Sequence, residues 1–114
     1  MDGFEQRVIA LIANLDNVKF WHRNLERGKG FYINGFINHY PDFIVVLNTG
    51  HILLIETKGD HLDGSDSEKK ILLGQTWANK AGDKYRYYMV FDQKHVDNAY
   101  TLPDLLNQIK QFSV

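Results

Sequence analysis

Apolar side chains recur at helical spacing over residues 4–15, FEQRVIALIANL, where Phe4, Val8, Leu11, Ile12 and Leu15 share one stripe with Ile9 beside it. This spacing predicts an opening amphipathic helix with Glu5 on its margin. Residues 18–24, VKFWHRN, are rich in β-branched and aromatic side chains and predict a strand, and the following LERGKG is a polar loop. Around Asn34-Gly35, a dipeptide suited to a type I′ turn, GFYINGFINHY predicts a small hairpin or an irregular strand.

Two apolar runs follow, Phe43 to Leu47 and Ile52 to Ile55, joined by a turn through Thr49-Gly50. Both are apolar on both faces, as strands in the middle of a covered sheet are. Ser65 to Glu68 has capping-box spacing for a helix running to about Ala81, with Gly82 as its stop. YRYYMVF, residues 85–91, predicts another strand. TLPDLLNQIKQF predicts a closing helix with Thr101 as N-cap and Leu105, Leu106, Ile109 and Phe112 inward. The order is helix, strands, helix, strand, helix, which places the chain in the α/β class with a mixed central sheet flanked by helices.

With 114 residues there is enough chain for one core and too little for two, so residues 1–114 are expected to form a single domain. The apolar fraction of 44% is that of a globular protein, and no run of about eighteen apolar residues exists to span a membrane. No basic, apolar, small-residue pattern opens the chain and cysteine is absent, so a cytoplasmic setting is the expectation. A formal charge of −1 excludes the strongly basic class of nucleic-acid binder, and any such contact is expected to be local or aided by a partner.

Charge interrupts the apolar hairpin at three places: Asp42 at its start, Glu56 and Lys58 at its end. Side chains alternate along a strand, so Glu56 and Lys58 point to one face and Ile55 and Thr57 to the other. Antiparallel pairing around Thr49-Gly50 returns Asp42 to the same end, opposite Glu56 or Lys58. Two facing carboxylates repel unless a cation sits between them, and hard oxygen ligands suit Mg²⁺ or Mn²⁺. Such an ion beside an ammonium group is a recognised arrangement for phosphodiester hydrolysis.

Pro41-Asp42, then a strand, a tight turn, and Glu56-Thr57-Lys58 together resemble the PD-(D/E)xK nuclease superfamily, whose restriction-endonuclease-like core has the order αβββαβ. More narrowly, WHRN, GFYI, YPDFIVVL and LLIETKGD resemble the C-terminal endonuclease domain of type III restriction enzyme Res subunits and related helicases. The resemblance implies a Mg²⁺-dependent or Mn²⁺-dependent DNA endonuclease. Asp42 and Glu56 would ligate the metal together with the main-chain carbonyl of Thr57, and Lys58 would position the attacking water. Glu5 matches the first-helix carboxylate that many members add. Gln75 falls where some relatives carry the glutamine of a Q-x-x-x-Y motif, although the fourth following residue here is Asn79. The implied partners are DNA and, in a larger assembly, a helicase or translocase domain or a methyltransferase subunit. The chain itself lacks a G-x-x-x-x-G-K-[ST] phosphate loop. Cutting both strands with one site per chain needs two copies, so a homodimer is among the expected arrangements.

Each of these residues also has a plainer reading. The three hairpin charges can be a solvated strand end, Glu5 a first-turn acid favoured by the helix dipole, and Gln75 an ordinary helix residue. Arg23 and Asn24 can contact phosphate or simply end a strand. Trp21 and Trp77 read as packing rather than base-stacking residues, and the five histidines as structural or surface groups. Lys69, Lys70, Lys80, Lys84 and Arg86 can line a DNA-facing side or a solvated helix face. The competing functional class is a noncatalytic nucleic-acid-binding or assembly module with a nuclease-like fold.

Overall fold

The structure, a computed structural model, describes residues 1–24, 33, 39–61 and 64–113. In chain order these form α1 (Gly3–Ala13), β1 (Val18–Arg23), β2 (Phe43–Leu47), β3 (Ile52–Lys58), α2 (Gly64–Ala81), β4 (Tyr85–Phe91), β5 (Tyr100–Thr101) and α3 (Leu102–Lys110). The strands make one mixed sheet in the order β1-β2-β3-β4-β5. β1, β2 and β3 run antiparallel to their neighbours, whereas β3, β4 and β5 are parallel. The expected α/β class, with a mixed sheet flanked by helices, is therefore what the chain adopts. Among the described residues no helix is long and apolar enough to cross a membrane.

α1 starts where Asp2 accepts the Glu5 N–H at 2.8 Å, which satisfies one of the free donors of the first turn. Val8, Ile9 and Ile12 are buried, but Leu11, expected on the same stripe, is 40% exposed. The arc that meets the sheet is centred between Val8, Ile9 and Ile12, so Leu11 falls at its far edge. α1 and α3 cover one face of the sheet, over Phe43, Val45, Leu47, Leu53, Ile55, Tyr88 and Val90. α3 is capped by Thr101 and sends Leu105 and Ile109 into that core. The carbonyls of Ile109 in its last turn and of Phe112 just after it accept from the Asn17 amide at 2.8 and 3.0 Å, tying this segment to the loop before β1.

α2 covers the opposite face over Leu54, Tyr87, Met89 and Phe91. The helix begins at Gly64, one residue before the expected cap at Ser65, and ends at Ala81 before Gly82 as anticipated. It comes so close to β4 that a Cβ on Gly74 would lie 2.4 Å from the Tyr87 ring. Glycine is what this approach requires.

The β2–β3 hairpin turns where Leu47 N–H donates to the His51 carbonyl and Gly50 N–H to the Leu47 carbonyl, both at 2.9 Å. Gly50 takes φ +89°, in the left-handed region that glycine occupies without a Cβ clash. β3 is buried on both faces through Glu56, but Ile44 and Val46 of β2 are only half-buried, because α2 lies over β3 and β4 rather than over β2. β1 is an outer strand with a register shift between Val18 and Phe20, and it leaves Phe20 and Trp21 exposed. Trp21 meets Phe43 edge to face at 6.0 Å, and Trp77 meets Tyr85 at 5.4 Å, so both tryptophans pack as read from the sequence. The Asn34-Gly35 turn lies outside the described residues; Ile33 and His39 at its two ends form an antiparallel bridge.

Candidate active site

The hairpin register decides the relation between Asp42 and Glu56. Phe43 pairs with Ile55 in the last pair of the ladder, and just outside it the Asp42 carboxylate stands close enough to Glu56 to raise the Glu56 pKa. The even positions of β3, Leu54, Glu56 and Lys58, face α2, whereas Leu53 and Ile55 face α1 and α3. The three charges therefore leave the sheet at one end and on one face, as the alternation of the strand demands.

Asp42 is fixed from the neighbouring strand. Its Oδ2 accepts both the Thr57 main-chain N–H, at 2.7 Å, and the Thr57 hydroxyl, at 2.8 Å. Glu56 is buried, and its two oxygens differ in surroundings. Oε2 lies 4.0 Å from Lys58 Nζ and 3.6 Å from Lys70 Nζ. Oε1 is buried with no hydrogen-bond partner. Burial and the facing Asp42 carboxylate push the Glu56 carboxyl well above the ordinary glutamate range, against the pull of the two lysines. A buried acceptor without a donor, beside a second carboxylate, is a centre short of positive charge.

Glu5 comes to the same end of the sheet from the first turn of α1. Its carboxyl is raised by burial and by the charge of Asp42, which places it within electrostatic reach of the pair. Gln75 is not brought in. Its amide donates to the Tyr87 carbonyl at 3.1 Å, and the side chain lines a concavity of about 610 Å³ between α2 and the residues before β5, with Glu68, Ile71 and Tyr100. None of Asp42, Glu56 and Lys58 lines that concavity. The charged cluster is at the strand ends, not in the hollow.

Two participants escaped the sequence reading. Lys70, read there as lining either a DNA-facing side or a solvated helix face and not as a neighbour of Glu56, has a side chain only 22% exposed and is the nearer of the two ammonium groups to Glu56. Burial opposes its charge, but Glu56 and then Asp66 outweigh that and raise its pKa. The signal was present: Lys70 follows Ser67 by three positions and precedes Gly74 by four, and both are buried against the sheet. The second is His39, buried with its Nε2 2.6 Å from the Tyr87 hydroxyl. Burial, and then the charges of Lys70 and Lys58, push His39 down to about 4. Burial and the nearby acids push the Tyr87 hydroxyl up. Nothing in the spacing of His39 and Tyr87 announces that pair.

Among the described residues no group of three or more His, Asp or Glu side chains is gathered to hold a metal ion. Mg²⁺ does not need such a group, because it commonly keeps several waters and takes only one or two carboxylates. The facing Asp42 and Glu56, the orphaned Oε1 and the adjacent main chain of Thr57 are a donor set of that kind. Compared with protein-family models, with curated proteins and with solved structures, the chain matches none of them.

Proposed function

We propose that the chain is a metal-dependent DNA endonuclease domain of the PD-(D/E)xK type, the nuclease module of a type III restriction enzyme or a related helicase-nuclease, acting on DNA in the cytoplasm. The order α1-β1-β2-β3-α2-β4 supports a restriction-endonuclease-like core. The observation that carries the reading is the closeness of the Asp42 and Glu56 carboxylates at the open end of the hairpin, with Lys58 Nζ 4.0 Å from Glu56.

In this reading Asp42, Glu56 and the Thr57 carbonyl hold Mg²⁺ or Mn²⁺. Such an ion, when bound, makes water a stronger acid and neutralises charge on a phosphate oxygen. Thr57 holds Asp42 in place through two hydrogen bonds, so that carboxylate needs no reorganisation on binding. Lys58, at 13% exposure, presents an ammonium in a largely water-excluded setting, where it stabilises the charge that gathers on the phosphorus. Glu5 adds negative charge at the outer side of the pair. Gln75 donates to the backbone of β4, and this reading gives it no step.

The test is isothermal titration of Mn²⁺ into the wild type and Asp42→Ala, with plasmid nicking measured on the same samples. Binding and nicking in the wild type alone support the assignment. Binding without nicking favours a centre that acts only with its translocase or methyltransferase partners. Absence of Mn²⁺ binding in the wild type overturns the metal-centred reading and leaves the noncatalytic nucleic-acid-binding module.

A further inference from the structure

Lys58 and Lys70 do more than neutralise Glu56. The two ammonium groups converge a second time, on the solvent side, where the same oxygen of Asp66, Oδ2, lies 3.4 Å from Lys58 Nζ and 3.3 Å from Lys70 Nζ. The lysines come from different elements, β3 and α2, and are 13% and 22% exposed, whereas Asp66 is 63% exposed. Both ammonium groups have Glu56 on their inner side and Asp66 on their outer side, so an anion that takes the place of Asp66 meets both at once.

We propose that Lys58 and Lys70 form a two-ammonium site for a backbone phosphate oxygen of DNA, and that the Asp66 carboxylate occupies this site in the free protein until the phosphate displaces it. The proposal rests on the nuclease reading for the identity of the anion, but the site itself needs no metal. A carboxylate oxygen and a phosphate oxygen present the same acceptor to a pair of ammonium groups. Asp66 is suited to be displaced: it sits on the first turn of α2, mostly in water, where letting go costs little. Lys70 adds the second ammonium that a lone Lys58 lacks, and its approach from the helix fixes the side from which the phosphate enters.

The experiment is equilibrium binding of a labelled duplex oligonucleotide in EDTA, so that neither metal nor cleavage enters, over about 50 to 200 mM salt. Asp66→Asn is compared with Glu68→Gln, which removes the same charge from the same helix without touching either lysine. Lys70→Ala is compared with Lys69→Ala, its exposed neighbour, and with Lys70→Arg. Asp66→Asn is expected to tighten binding by roughly two- to fivefold beyond Glu68→Gln, the range for a partly exposed ion pair released. Lys70→Ala is expected to weaken binding more than Lys69→Ala and to reduce the salt slope by about one, with Lys70→Arg restoring both. Equal effects of Asp66→Asn and Glu68→Gln overturn the proposal, as does a wild type that binds too weakly to measure and is not brought into range by Asp66→Asn. Asp66 is exposed, so its variant decides the question even where Lys70→Ala fails to fold. The predicted pattern in a protein that neither binds Mn²⁺ nor nicks would keep the phosphate site and remove the nuclease reading. Mn²⁺ binding and nicking without the pattern would do the reverse.

Discussion

Both donors of Thr57, the main-chain N–H and the side-chain hydroxyl, end on one oxygen of Asp42, at 2.7 and 2.8 Å. A residue of β3 thereby fixes a carboxylate that stands just before β2, and it does so at the point where the strands carry their facing acids.

Thr57→Val keeps the shape and the N–H but deletes the hydroxyl, so it is expected to cost about 1 kcal/mol, the typical value of one such bond. Asp42→Asn keeps an acceptor for Thr57 while removing one of two repelling charges. It is expected to raise the unfolding midpoint in metal-free buffer and to abolish Mn²⁺ binding. Urea unfolding with and without Mn²⁺ measures both effects, and a lower midpoint for Asp42→Asn in EDTA would contradict the repulsion.

His39 and Glu56 impose opposite pH dependences. Unfolded, His39 takes its proton near 6.5, but folded only near about 4. Between those values the unfolded chain binds more protons, so this contribution, on the order of 3 kcal/mol, is whole above pH 6.5 and is lost as the pH falls toward 4. Glu56 has the reverse sign, because its folded value is raised above the ordinary 4.5. The folded chain holds the proton longer, so stability falls as the pH climbs from 4.5 through the raised value. Stability curves in EDTA should therefore lose their acid limb in His39→Gln and their alkaline decline in Glu56→Gln. Unchanged limbs in either variant would show that the group does not titrate as its surroundings require.

Gly74→Ala sets a helix preference against a steric contact. Alanine favours the helix by about 1 kcal/mol over glycine. Its Cβ, however, would stand 2.4 Å from the ring of Tyr87, which is fully buried and bonded to His39. The ring cannot yield, and a net loss of roughly 1–3 kcal/mol is expected from overpacking. A thermal midpoint equal to or above that of the wild type would show that α2 can lift from β4.

Much of the fold could be read along the chain because the governing patterns are local. The period of α1, the alternation and turn of the β2–β3 hairpin, the apolar run of β4 and the Thr101 cap of α3 each lie within a dozen residues. β5, two residues long and held by pairing with β4, has no pattern of its own. The misplaced Leu11 shows the limit of a stripe read from one helix, since which side of the apolar arc is covered depends on the sheet that meets it.

The chain alone placed Asp42, Glu56 and Lys58 at one end of a hairpin, through its tight turn and period of two, but left Asp42 opposite either Glu56 or Lys58. Tertiary structure decided the rest. Lys70 and Asp66 join the cluster only because α2 crosses back over β3, His39 and Tyr87 pair across 48 positions, and Gln75 is turned to the backbone of β4. These are contacts between elements distant in sequence, fixed by packing and charge; the spacing of Lys70 to Ser67 and Gly74 marks the buried side of the helix but not the partner it meets.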